Sequence, residues 1–265
     1  MSTVAIPREA PHHAGVHAAP TSFIRKYVFS LDHKVIGKQY LFYALFMLVI
    51  GGLLATLVRY QLAWPGRPLP FMGKLAPEGM PGGLMLPEYY NSLFTMHATI
   101  MIFFAIMPIL IGAFGNFVVP IQIGARDMAF PKLNMMSFWV AVPAAVVIIW
   151  SFFVTGGAAA GGWTSYAPLS AIQPRGQTLW LISLLFLGLS SLLTAVNFLT
   201  TIINMRAPGM SFFRLPLTTW ALFITALLLL LALPVLSAAL IMLLFDRTLG
   251  TTFFLPAGLV VQDRV

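Results

Sequence analysis

Five apolar stretches, each about the length a helix needs to cross a bilayer, dominate the sequence: residues 40–58, 90–119, 134–155, 179–204 and 217–245. A helix rises about 1.5 Å per residue, so roughly 20 apolar residues span the hydrocarbon. A soluble surface cannot be built around them, because only 8% of residues are charged against 59% hydrophobic, where soluble chains carry about 25% charged residues. The expected fold is an all-α membrane protein with five transmembrane helices. Pro143 and Pro234 fall inside the third and fifth stretches, a position a bundle tolerates because neighbouring helices satisfy the freed carbonyls.

The flanks set orientation. Residues 1–31 are polar, contain alanine and proline, and lack the apolar core of a signal peptide. They read as a flexible cytoplasmic tail, with His12, His13 and His17 as part of it. Asp32, His33, Lys34 and Lys38 form a charged shoulder before the first span. Arg8, Arg25, Lys26, Lys34, Lys38, Arg126, Lys132, Arg206 and Arg214 fall on the N-terminal side of the alternation, nine in all, against six (Arg59, Arg67, Lys74, Arg175, Arg247, Arg264) on the other. The positive-inside rule then puts the N-terminus in the cytoplasm of a multi-pass protein of a bacterial-type inner membrane. The net charge of +8 is largely this topology and not a nucleic-acid footprint. With no cysteine, thiolate metal sites are excluded, leaving histidine, methionine and oxygen groups as ligands.

His97 is the one histidine inside an apolar stretch. An imidazole at membrane depth needs partners for its ring nitrogens, since an unsatisfied buried polar group costs on the order of 1–3 kcal/mol. Two readings fit: a hydrogen bond to a neighbouring helix, or an axial ligand to a metal or haem. Arg59, closing the first span, is either a snorkelling interfacial arginine or a partner for a polar edge of a cofactor held by His97. Asn116, Asp127 and Asn134 follow one another through the turn after the second span, and Ser190, Ser191, Thr194 and Asn197 run along the fourth. Ser190, Thr194 and Asn197 share a helical face. These residues suit a hydrated proton route, with a carboxylate at the mouth and small amides and hydroxyls holding water. They equally suit a solvated loop acid, a helix N-cap and interhelical hydrogen bonding.

The run Thr95-Met96-His97-Ala98-Thr99-Ile100-Met101-Ile102-Phe103-Phe104, followed by Pro108, Gly112 and Ala113-Phe114-Gly115-Asn116-Phe117-Val118-Val119-Pro120, resembles the second helix of haem–copper oxidase subunit I. Residues 127–139, Asn197-Phe198, residues 200–206, Leu233-Pro234-Val235-Leu236, Asp246-Arg247 and Thr251-Thr252-Phe253-Phe254 resemble later parts of that subunit, so the likeness covers residues 32–258. The resemblance implies the N-terminal five helices of a twelve-helix bundle, with residues 259–265 entering a truncated outer loop. It implies that His97 is one axial ligand of a low-spin haem a and that Arg59 meets that haem's formyl group. Asp127 becomes the entrance of a D-type proton path lined by Asn116, Asn134, Ser190, Ser191 and Asn197. In such enzymes cytochrome c supplies electrons, dioxygen is reduced to water at a high-spin haem and copper, and protons are pumped. The implied partners are oxidase subunits II and III, the remainder of subunit I, and membrane lipid.

Departures accompany the likeness. Ala98 stands where glycine is common, Gln61 where relatives carry a carboxylate for a structural cation, and Leu255 where aspartate is frequent. No histidine follows His97, so the copper ligands and the remaining haem ligands are expected in sequence beyond this chain, either a continuation or a docked second polypeptide. The rival readings are a quinol oxidase of the same superfamily and a haem-free transporter or scaffold. A nitric oxide reductase fits less well, because Asn116, Asp127 and Asn134 resemble the oxidase proton path.

Overall fold

The computed structural model describes residues 22–256. Five helices in it are long and apolar enough to cross a membrane: α1 (His33–Ala63), α2 (Pro87–Ile123), α3 (Pro131–Phe153), α4 (Arg175–Asn204) and α5 (Leu217–Thr248). No strand occurs among the described residues. The five expected spans are therefore present, but their ends differ. α1 begins at His33 and takes in the charged shoulder, because the Asp32 carboxylate accepts from the backbone N–H of Lys34 at 2.7 Å and of Val35 at 3.4 Å, an N-cap that apolar periodicity does not register. Part of the stretch read as tail is also folded: Ile24–Val28 form a short helical turn. Residues 1–21 and the expected outer loop 259–265 lie outside the described residues.

The middle of α2 departs from regular α winding. Over Ile100–Ile106 and Pro108–Gly115 the backbone opens to a wider π-type turn, with the Met107 N–H reaching the Ile102 carbonyl. Pro108 has no N–H to offer the ladder there. The helix tightens again at Asn116 and stops at Gly124, whose φ of +75° is the left-handed conformation that glycine adopts without strain.

Packing follows the apolar faces. α1 lies along α2, α3 lies along α4, and α4 also packs on α5, while α1 touches α3 and the end of α2 touches α4 and α5. Leu93, Met96, Ile100, Phe104, Ala141, Ala144, Ile148, Trp180 and Leu181 form the main core with Ile36, Tyr40 and Met47 from α1. A second cluster of Val119, Ile123, Met128, Phe198 and Ile202 closes the end of the bundle that holds the α2–α3 and α4–α5 turns. Close approach is built in: a Cβ at Gly115 would sit 2.4 Å from the Phe198 ring, and one at Gly112 would sit 2.6 Å from the Tyr40 ring. α5 is the least enclosed, with 11% of its most apolar window buried against 44% for α4, so its leucine face meets lipid or further helices.

The opposite end is fixed by two buried charges. Arg247 donates to the carbonyls of Ser170, Ala171, Gln173 and Pro174 at 2.7–2.9 Å and to the Thr178 hydroxyl at 3.0 Å, so one guanidinium satisfies the loop that leads into α4. Asp246 accepts from the Thr251 hydroxyl at 2.5 Å and the backbone N–H groups of Phe253 and Phe254 at 2.9 and 2.7 Å. Removing Arg247 strands several buried carbonyls, each of which costs energy unpaired. Arg247→Met is expected to destabilise the folded bundle by about 2–4 kcal/mol, measured as a lowered thermal transition of the purified protein. Arg247→Lys, which reaches fewer carbonyls, should recover only part of the loss.

Candidate functional site

Two polar features interrupt the apolar interior. The first is a seam between α1, α2, α3 and α4, built from residues that the helix ends bring together. The Asn134 amide on α3 donates to the Asn116 side-chain oxygen on α2 at 2.6 Å, and the Asn116 amide donates back to the Gly112 carbonyl at 2.6 Å. His33, at the start of α1 and 4% exposed, donates from Nδ1 to the Asn116 carbonyl at 2.6 Å. Farther along, Ser137 donates to the Asn134 carbonyl at 2.7 Å, Tyr40 donates to the Ser137 hydroxyl at 3.0 Å, and Ser190 donates to the Ser137 carbonyl at 2.7 Å. The Thr194 hydroxyl donates to the Ser190 carbonyl at 3.1 Å.

A cavity of about 30 Å³ opens beside this group, lined by Tyr40, Gly112, Ser190, Ser191 and Thr194 among apolar neighbours. That is enough room for water, since one molecule needs roughly 10–15 Å³ of such space and polar partners. Two buried amide atoms of the seam, Asn134 Oδ1 and Asn197 Nδ2, have no hydrogen-bond partner among the described residues. Ordered water is the ordinary means of satisfying such atoms.

At the mouth, Asp127 sits half-buried in the turn between α2 and α3, and its Oδ1 accepts from the Met128 N–H at 2.7 Å. Burial raises its pKa above the usual carboxylate range; the Met128 N–H and the His33 imidazole oppose that shift, and Asp32 adds to it. Asn197 accepts from the Phe130 N–H at 2.9 Å and Thr201 from the Ala129 N–H at 2.9 Å, so α4 holds the same turn in place.

Of the residues expected along this route, Asn116, Asn134 and Ser190 therefore join one bonded group. Ser191 lines the cavity, and Asp127 and Asn197 shape the turn at its entrance. His33, Tyr40, Ser137 and Thr201 belong to the seam as well. His33 had been grouped with the charged shoulder, and its seven-residue spacing to Tyr40, two helical turns along one face, is the signal that relates them.

The second feature is His97, midway along the contact of α1 and α2. Its Nδ1 donates to the Gly51 carbonyl at 2.9 Å. Glycine is required for that approach, because a Cβ at position 51 would stand 2.7 Å from the Met101 sulfur. The bond fixes the ring and its tautomer, leaving Nε2 with a lone pair that meets no hydrogen-bond donor among the described residues. Gly52 beside it has open space where a Cβ would be, and His97 itself is partly exposed. An anchored imidazole with a free Nε2 beside a glycine-lined opening fits a ligand to haem iron. Arg59 is exposed and eight residues past Gly51 on α1, roughly 12 Å along the axis; it forms no hydrogen bond among the described residues and makes no contact with His97. No cluster of three or more His, Cys, Asp or Glu side chains assembles among the described residues.

The fold and these two features define the chain as a polytopic helical membrane protein with a buried hydrogen-bonded seam and an outward-facing imidazole. Residues 35–265 match the family described as cytochrome C and quinol oxidase polypeptide I, and the chain belongs to that family. It is 41% identical to cytochrome c oxidase subunit 1 of Thermostichus vulcanus over 257 residues, covering 97% of this chain and 44% of the relative. It is 44% identical to a probable cytochrome c oxidase subunit 1-beta of Nocardia farcinica over 257 residues, covering 96% of this chain and 41% of the relative. The subunit 1 of Yarrowia lipolytica is 44% identical over 238 residues, 89% of this chain and 42% of that protein. The chain thus spans about two-fifths of the length of the curated relatives it matches.

The seam makes a stability prediction. Tyr40→Phe deletes the donor to Ser137 while leaving ring packing intact, and should cost about 1 kcal/mol, read as a lowered thermal transition with unchanged helical circular dichroism.

Proposed function

We propose that this chain forms the N-terminal part of the catalytic subunit of a proton-pumping terminal oxidase that oxidises cytochrome c and reduces dioxygen to water. The observation that carries the reading is the His97 ring, anchored through Nδ1 to Gly51 with Nε2 free, in a chain of the polypeptide I family. His97 would hold a low-spin haem a on one face, with Arg59 as the proposed partner of its formyl group. A haem bound there supplies reversible one-electron chemistry. The Gly51 carbonyl keeps the imidazole oriented and raises its basicity. The second axial ligand, the high-spin haem and the copper site are proposed to come from sequence outside this chain, which offers no histidine after His97.

The seam is proposed as the proton-uptake route. Asp127 collects protons at the mouth, where partial burial favours its protonated form. Asn116 and Asn134 narrow the entrance, and Asn197 holds the turn that carries Asp127. Ser190, Ser191, Tyr40 and Thr194 surround space for the water that relays protons inward. The excess of basic residues at this end supports a cytoplasmic mouth in a bacterial-type inner membrane. Oxidase subunits II and III are the proposed partners. Cytochrome c is proposed over quinol as donor because the relatives above carry that name.

Two substitutions in the complete complex test these assignments separately. Asp127→Asn is expected to slow turnover and abolish pumping while leaving the haem spectrum intact, followed by oxygen consumption and by proton release from vesicles. Wild-type rate and stoichiometry in that variant would remove Asp127 from the route. His97→Ala is expected to eliminate the low-spin band of the reduced visible spectrum, and an unchanged band would refute the ligand assignment.

A further inference from the structure

The end of the bundle that carries Asp127 also carries a collar that neither the seam nor the His97 site uses. The Ile24–Val28 turn is laid across α1 and α3 and pinned there. The Gln39 amide donates to the carbonyls of Tyr27 and Val28 at 2.7 and 2.8 Å, and the Trp139 indole donates to Val28 at 3.0 Å. The Phe29 ring rests on Trp139 with centroids 4.9 Å apart. Held this way, the turn sends its large side chains outward: Phe23 is 71% exposed, Tyr27 46% and Phe29 49%. Arg25 and Lys26 stand exposed among these rings, and Lys34 and Lys38 stand exposed on the first turns of α1 alongside. The acids nearby are already engaged, Asp32 in capping α1 and Asp127 in its bond to Met128.

Exposed aromatic rings interleaved with cations at the end of a membrane helix suit one environment. The rings favour headgroup depth, where one edge is apolar and the other wet. The cations favour anionic phosphates, and each basic residue near an anionic leaflet contributes about 1 kcal/mol. An acidic soluble partner would satisfy the charges and leave three rings in water. We propose that Arg25, Lys26, Lys34 and Lys38, with Phe23 and Tyr27, bind the headgroups of anionic phospholipids in the leaflet at this end. Because the turn is bonded to α1 and α3, the two helices that supply His33 and Asn134, such lipids also brace the entrance to the seam. The assignment rests on the membrane-spanning fold and is independent of the haem and proton-route readings.

The test places a photoactivatable benzophenone at position 23 in the complete complex, reconstituted in bilayers of equal phosphatidylglycerol and phosphatidylcholine. Adducts to phosphatidylglycerol are expected to exceed those to phosphatidylcholine at least fivefold, about the factor one surface cation supplies. The ratio should fall to near one when Arg25→Gln, Lys26→Gln, Lys34→Gln and Lys38→Gln are combined, and should persist in Arg175→Gln at the opposite end. Should the combined variant not assemble, raising salt to about 1 M on the unsubstituted collar must collapse the ratio in the same way. A ratio near one without these substitutions, adducts chiefly to polypeptide, or a ratio insensitive to both the substitutions and salt would overturn the proposal.

Discussion

The bond from the Asn134 amide to the Asn116 side-chain oxygen, 2.6 Å long and buried, is the contact on which the polar interior depends. Two carboxamides cannot sit in an apolar bundle unpaired, because each unmet donor or acceptor there costs as much as a lost hydrogen bond. Their pairing fixes the end of α2 against the start of α3. The Asn116 and Asn134 carbonyls are then directed to His33 and Ser137, and Tyr40 and Ser190 follow. One constraint thus recruits side chains from four helices. It also leaves Asn134 Oδ1 for water, which is why the seam is suited to moving protons as well as holding helices together.

The two ends of the molecule solve the same desolvation problem differently. At the seam end, neutral amides and hydroxyls share bonds in a chain with room for water. At the opposite end, Arg247 and Asp246 are each saturated by backbone groups within a few ångströms. A saturated charge rigidifies; a partly satisfied amide network keeps sites open for a mobile solvent chain. His97 falls between these cases, with one nitrogen committed to Gly51 and one left available.

Much of this was legible in the sequence because membrane depth makes polar residues conspicuous. The five spans followed from length and apolarity, and His97, Asn116, Asn134 and Ser190 stood out as polar groups within them. What escaped had physical reasons. His33 adjoins Asp32, Lys34 and Lys38, so its burial was masked by charged neighbours that face outward from the same helical turn. Ser137 and Thr201 carry no charge and sit in helices where hydroxyls bond their own backbone. The wide winding of α2 around Pro108 and the several carbonyls gathered by Arg247 arise from tertiary packing, which no periodicity encodes. The contact proposed between Arg59 and the His97 cofactor edge rests on resemblance, since the arginine extends from α1 without touching the histidine.

The central claim is that a chain of this family, built around an anchored imidazole, carries one side of a low-spin haem. The most direct measurement is a reduced-minus-oxidised visible spectrum of the complex isolated from its native membranes through a tag on this chain. A low-spin haem a band in stoichiometric amount with the chain is the predicted result. A preparation that retains the chain, folded and membrane-embedded, and shows no haem would contradict the account.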